Sequence, residues 1–112
     1  MAFEKICTLD DVWEGDMASF ETQDGTEILL VFADGGELRA FQNICPHQHF
    51  ELIEGTLDGN VLTCRAHLWQ FDADSGAGVN PKDCALAVYP LKIDGDDVYV
   101  DVNGIVPLHS HT

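Results

Sequence analysis

A chain of 112 residues is the length of one domain, able to hide roughly two-thirds of its unfolded surface. Its 46% apolar and 22% charged residues exclude wholesale disorder. Against 5 Lys and Arg stand 20 Asp and Glu, a formal net charge of -15. That balance excludes nucleic acid and anionic membrane surfaces as partners, since no basic cluster exists to displace counterions from phosphate.

The N-terminus, Met-Ala-Phe-Glu-Lys, lacks a basic stretch leading into an apolar run, so no secretory signal is expected. The longest apolar candidate, Ile28 to Ala33, is far short of the ~20 residues that cross a bilayer. A cytoplasmic address follows, and there the four cysteines are expected as ligands or buried thiols rather than disulfides. Thr8 to Trp13 predicts one helical turn, with Thr8 as cap and Asp11 answering it. Asp24-Gly25, Asp34-Gly35-Gly36, Asp58-Gly59 and Asp94-Gly95 predict tight hairpin turns. Between them, Ile28 to Phe32 reads as a strand buried on both faces, with Leu38 to Phe41 as its hairpin partner. Val98, Val100 and Val102 alternate with Tyr99 and Asp101, the period of a half-buried strand that closes the sheet. With no long helix, the chain reads as all-β, an antiparallel sandwich or small barrel.

Two stretches interrupt this pattern, Asn43 to Glu54 and Cys64 to Val79. The first holds Cys45-Pro46-His47-Gln48-His49 and the second Cys64-Arg65-Ala66-His67-Leu68-Trp69. Each loop offers a thiolate and an imidazole. In Cys-x-His the side chains are two residues apart, so extended backbone points both to one side, and Pro46 biases Cys45 toward that geometry. Thiolate suits zinc and iron–sulfur clusters alike. Zinc fingers, however, pair Cys with Cys and His with His at short spacing, whereas here both loops are mixed, and two mixed loops fit two metals better than one.

Cys-x-His, sixteen residues, then Cys-x-x-His resembles the signature of Rieske iron–sulfur proteins. Cys-Pro-His-Gln and Cys-Arg-Ala-His-Leu-Trp are most similar to the small Rieske ferredoxins of multicomponent toluene and related aromatic monooxygenases. The resemblance implies a Rieske-type antiparallel β-sandwich with a small cluster-binding subdomain, filling residues 1–112 as one domain with cluster loops at 43–54 and 64–79. It implies a [2Fe–2S] cluster, Cys45 and Cys64 on the inner iron, and His47 and His67 on the outer one. The chain would then be no enzyme but a monomeric carrier of single electrons. It would take them from an NADH-dependent flavin reductase and deliver them to a hydroxylase with a carboxylate-bridged diiron centre. A ferredoxin of a Rieske-type ring-hydroxylating dioxygenase is the alternative; a structural zinc interaction module and a subunit fixed permanently to a reductase are more remote. Respiratory-complex Rieske proteins add a disulfide at the places of Phe50 and Ala66, and hydroxyl donors at the places of Trp69 and Phe71. Their absence implies a potential near the low end of the class, about -150 mV.

Gln48, between the histidines, reads as a rim residue, and Trp69, after the second loop, as cover or docking contact or equally as plain core packing; Asn80-Pro81-Lys82-Asp83 resembles the family's third, shielding loop, which singles out Pro81. His49 reads as an exposed loop histidine, and Cys7 and Cys84, which lack companions at ligand spacing, as core. His109 and His111 sit in a terminal tail and receive no role.

Overall fold

The structure is a computed structural model that describes residues 3–33, 35–46, 50–65, 68–80 and 84–108. Among the described residues eleven short strands run in order: β1 (Glu4–Thr8), β2 (Asp16–Glu21), β3 (Glu27–Phe32), β4 (Leu38–Gln42), β5 (Thr56–Asp58), β6 (Val61–Thr63), β7 (Gln70–Asp72), β8 (Gly78–Asn80), β9 (Val88–Tyr89), β10 (Leu91–Asp94) and β11 (Asp97–Val100). Single 3-10 turns lie at Leu9–Asp11 and Leu52–Glu54. The strands form three antiparallel sheets, ordered β1-β11-β10, β2-β3-β4-β9 and β5-β6-β7-β8.

The all-β expectation holds, and β3 shows why its residues read as buried on both faces. Ile28 and Leu30 point to one side, where Val98 and Val100 of β11 and Tyr89 meet them. Leu29 and Val31 point to the other, against Leu62 and Phe71 of the third sheet. Because side chains alternate along a strand, a central layer must be apolar on every residue to face two cores. Ile28 to Val31 are accordingly all fully buried, and β3 pairs with β4 from Ile28↔Gln42 to Phe32↔Leu38.

Glycines of the four expected turns, Gly25, Gly35, Gly59 and Gly95, all take positive φ. The helical turn is shorter than expected. It ends at Asp11, whose carboxylate accepts from both the amide (2.9 Å) and the hydroxyl (3.3 Å) of Thr8. Trp13 falls outside it, exposed, with its indole N–H on the carbonyl of Asp10.

Three expectations need correction. First, β11 does not close the sheet containing β3; it is the middle strand of a separate three-stranded sheet, between β1 and β10. Second, the alternation ends at Val100, and Asp101 is buried. Its amide donates to Pro90 O at 3.0 Å and its carboxylate accepts from Asn103 N at 2.9 Å, so local bonds compensate the burial. Third, the stretch 64–79 is not all loop, because it contains β7 and most of β8.

Candidate functional site: two cysteine loops over a shared core

Both candidate loops leave the ends of strands and close in the same way. The first follows β4, where Cys45 N–H donates to Phe50 O at 2.8 Å. The second follows β6, where Cys64 N–H donates to Trp69 O at 2.7 Å. In each, the cysteine amide reaches the carbonyl five residues on, tying the loop at its neck. Beyond the neck the first loop continues into a bridge between Ile44 and Glu51, and the second into β7.

Asn43 fastens the first loop further. Its carbonyl accepts from Leu52 N at 2.5 Å, its side-chain oxygen accepts from Ile53 N at 3.1 Å, and its side-chain N–H donates to Glu51 Oε1 at 3.2 Å. Fully buried, this amide holds one backbone N–H and one carboxylate of the 51–53 turn at once. Glu51 also raises the pKa of Glu27; burial of Glu27 is the larger cause, and the Glu51 charge adds to it.

The two loops meet at Gly55. A Cβ there would stand 2.0 Å from Thr63 O, the residue before Cys64, and 3.2 Å from Leu52 O. Only a hydrogen lets the chain leaving the first loop lie against the strand delivering the second. Leu68 adds a strained position, the only non-glycine among the described residues with positive φ, at 56°. Its side chain is exposed, as are those of Phe50 and Val79.

Cys45 and Cys64 are fully buried in one apolar cluster with Leu52, Leu62, Phe71 and Cys84, and neither forms a disulfide. This donor set fits a [2Fe–2S] group on its inner side, because two thiolates can be sheltered from water where the metal supplies the charge that apolar burial withholds. Among the described residues no group of three or more His, Cys, Asp or Glu is placed to hold a metal ion. His47, Gln48, His49, Ala66, His67, Pro81, His109 and His111 lie outside the described residues, so the structure gives no position for the expected imidazoles.

Other expectations can be located. Trp69 is half-buried, packed against the cysteine cluster. Cys7 and Cys84 are buried, as their lack of companions implied. Burial, with the Asp11 charge a lesser cause, pushes the Cys7 thiol up to about 11. Sequence reading missed Gln42 and Asn43. Two adjacent amides directly after the expected strand Leu38 to Phe41, shortly before the first cysteine, were the available signal, because polar groups at that depth must be bonded.

The family model described as Rieske [2Fe-2S] domain matches residues 2–90. The ferredoxin component of the alkene monooxygenase system of Xanthobacter autotrophicus is 42% identical over 96 residues, 85% of this chain and 77% of that protein. The ferredoxin component of biphenyl 2,3-dioxygenase from Rhodococcus jostii is 39% identical over 105 residues, 93% of this chain and 96% of that protein. Among solved structures, a Sphingomonas yanoikuyae B1 ferredoxin superimposes with TM-score 0.80 at 25% identity, covering 89% of this chain and 98% of its own. The chain therefore belongs to the Rieske [2Fe–2S] domain family, with a Rieske-type [2Fe–2S] cluster as its prosthetic group.

Proposed function

We propose that Cys45 and Cys64 hold the inner iron of the cluster and His47 and His67 the outer one, and that the chain carries single electrons from a flavin-containing, NADH-dependent reductase to the hydroxylase of a multicomponent monooxygenase. The observation that carries this reading is the pair of matching loops, each closed by its cysteine amide and each sinking its thiol into one core. In sequence, His47 follows Cys45 by two residues and His67 follows Cys64 by three, so both fall between the residues that tie their loops.

When bound, such a cluster accepts one electron. Two ferric ions, two sulfides, two thiolates and two neutral imidazoles sum to zero charge, so reduction adds one negative charge. The chain's contribution is to exclude water from the thiolates and keep the loops rigid. Phe71, fully buried and without a hydroxyl at a place where the resemblance to respiratory Rieske proteins puts a donor, supports a potential near the low end of the class, about -150 mV.

As a ferredoxin, the chain is a carrier and not the oxygenase. The likeness to an alkene monooxygenase ferredoxin supports a monooxygenase client. We place toluene-type aromatic hydrocarbons first among its substrates, because of the Cys-Arg-Ala-His-Leu-Trp segment, and a diiron centre in the hydroxylase. The cytoplasmic address and monomeric state belong to this same proposal. A second reading, service to a ring-hydroxylating dioxygenase, is favoured by the biphenyl dioxygenase ferredoxin that matches nearly end to end.

The test is reoxidation of the reduced protein by candidate partners. A diiron toluene hydroxylase with substrate and O2 should draw electrons with product formed in proportion. If only a Rieske-type dioxygenase does so, the second reading replaces the first.

A further inference from the structure

We propose that the side-chain amide of Gln42 is a positioning group for the cluster, latching the C-terminal segment at Leu108 to the peptide bond that precedes Cys45. The inference rests on Cys45 being a cluster ligand.

Gln42 ends β4 and is fully buried. Its Nε2 donates to Ile44 O at 2.7 Å and to Leu108 O at 2.9 Å. Its Oε1 accepts from Ala87 N and Leu108 N, both at 2.8 Å. Two donors and two acceptors exhaust the capacity of a primary amide, so the side chain is fully committed. A buried amide satisfied in this way is rigid, since releasing any partner strands a polar group away from water.

The three partners come from separate parts of the chain. Ala87 precedes β9, and the backbone amide of Gln42 also donates to its carbonyl at 3.1 Å. Leu108 lies 66 residues away in sequence, and both its backbone groups bond the one amide, as a strand partner would. Its side chain is 46% exposed, so its backbone rather than its packing is what the site holds. Val102 and Ile105, packed on the core beneath β11, guide the segment there.

Ile44 is the link to chemistry. Its carbonyl and the N–H of Cys45 belong to one planar peptide unit. Gln42 holds the carbonyl end at 2.7 Å, and Phe50 O holds the N–H end at 2.8 Å. With both ends pinned, the plane's rotation is fixed, and with it the direction in which the chain enters Cys45. The C-terminal segment thus takes part in aiming the thiolate, though it lies 63 residues downstream of Cys45.

The test uses loaded protein and chains of different length. A chain ending at Pro107 loses both Leu108 bonds, a chain ending at Leu108 keeps them, and Leu108→Ala keeps the backbone while shortening the side chain. Amide hydrogen exchange is followed by mass spectrometry in a peptide spanning 43–53 and in a control spanning 91–100, together with bleaching of visible absorbance by a ferrous chelator. The Pro107 chain should show roughly thirtyfold faster exchange in 43–53 and faster bleaching, the effect expected on losing two hydrogen bonds of ordinary net strength. Exchange in 91–100 should not change, and the other two proteins should match the parent. Gln42→Leu combined with the truncation should be no worse than Gln42→Leu alone; if Gln42→Leu does not fold, the truncation series decides. Unchanged exchange in 43–53, or equal acceleration across 91–100, would overturn the proposal. A Cys45→Ala chain that still takes up a full cluster would instead defeat the ligand assignment, and the exchange comparison would still judge the latch.

Discussion

Replacing Gly55 by alanine places a methyl carbon 2.0 Å from the carbonyl oxygen of Thr63, where ordinary contact begins at 3.4 Å. The obstacle is contact and not backbone angle, since Gly55 has φ -82° and ψ -156°, extended values open to any residue. The gap must open by the difference, 3.4 less 2.0, about 1.4 Å. The oxygen cannot swing aside, because Thr63 is held in the ladder opposite Thr56 and next to Cys64. On the other side Leu52 O stands at 3.2 Å, so relief in one direction presses on the other. Overpacking costs about 1–3 kcal/mol and sometimes more, and a clash with two backbone oxygens belongs at the top of that range, about 3 kcal/mol. For a domain whose total stability is of order 5–15 kcal/mol, that loss is large. It should lower the Tm by about 12 °C at roughly 4 °C per kcal/mol. Urea unfolding followed by circular dichroism gives the stability, and iron and acid-labile sulfide per chain give the site. Cluster content should fall with stability, because the displaced strand leads into Cys64, a proposed ligand. A Gly55→Ala protein within about 1 kcal/mol of the parent and fully loaded would refute the close-approach reasoning.

Further expectations follow from single positions. Leu68→Ile should destabilise by about 1–2 kcal/mol, because a β-branched side chain suits positive φ worse than leucine does, whereas Leu68→Gly should not lower the urea midpoint. Cys7, with its thiol moved from 9.0 to about 11, carries about 100-fold less thiolate at pH 8 than in the unfolded chain, so native alkylation by iodoacetamide should slow at least to that degree. The folded state keeps that proton longer, so stability contributed by the neutral thiol is present below pH 9 and is lost between pH 9 and 11. Glu27 has a raised pKa, so its ionised form is the one that folding disfavours. Glu27→Gln should stabilise the protein at pH 8, and the gain should shrink as pH falls through the carboxylate range, read as urea midpoints. Arg39 pairs with Asp74 at 3.0 Å and Glu37 at 3.1 Å on the surface, and Arg39→Ala should cost less than about 1 kcal/mol, less still in high salt.

Local features were legible in the sequence where local physics decides them. The Asp-Gly pairs carry their turn chemistry with them, and Ile28 to Val31 reads as buried because a strand between two cores has no polar face. The proposed site rests on the spacing of Cys45, His47, Cys64 and His67 within two short loops, each of which can be read without a distant partner. What stayed hidden is set by long-range placement. That β11 lies between β1 and β10 rather than beside β3 is a matter of chain path, and period-two alternation is the same in either sheet. Asp101 reads as an outward residue of that alternation, yet the strand stops one residue earlier and the bonds from Asn103 and to Pro90 let it be buried. Gln42 binds Leu108 across 66 residues, which no local pattern encodes. Leu68 at positive φ is likewise invisible, because its residue type argues against the conformation it adopts.

The ligand set is the claim on which the rest depends, and electron spin-echo spectroscopy of the dithionite-reduced protein carrying 15N-histidine addresses it most directly. The account predicts coupling to two imidazole nitrogens, one lost in His47→Ala and one in His67→Ala, with both retained in His49→Asn. Two couplings that persist in His47→Ala, or none in the parent protein, would contradict it.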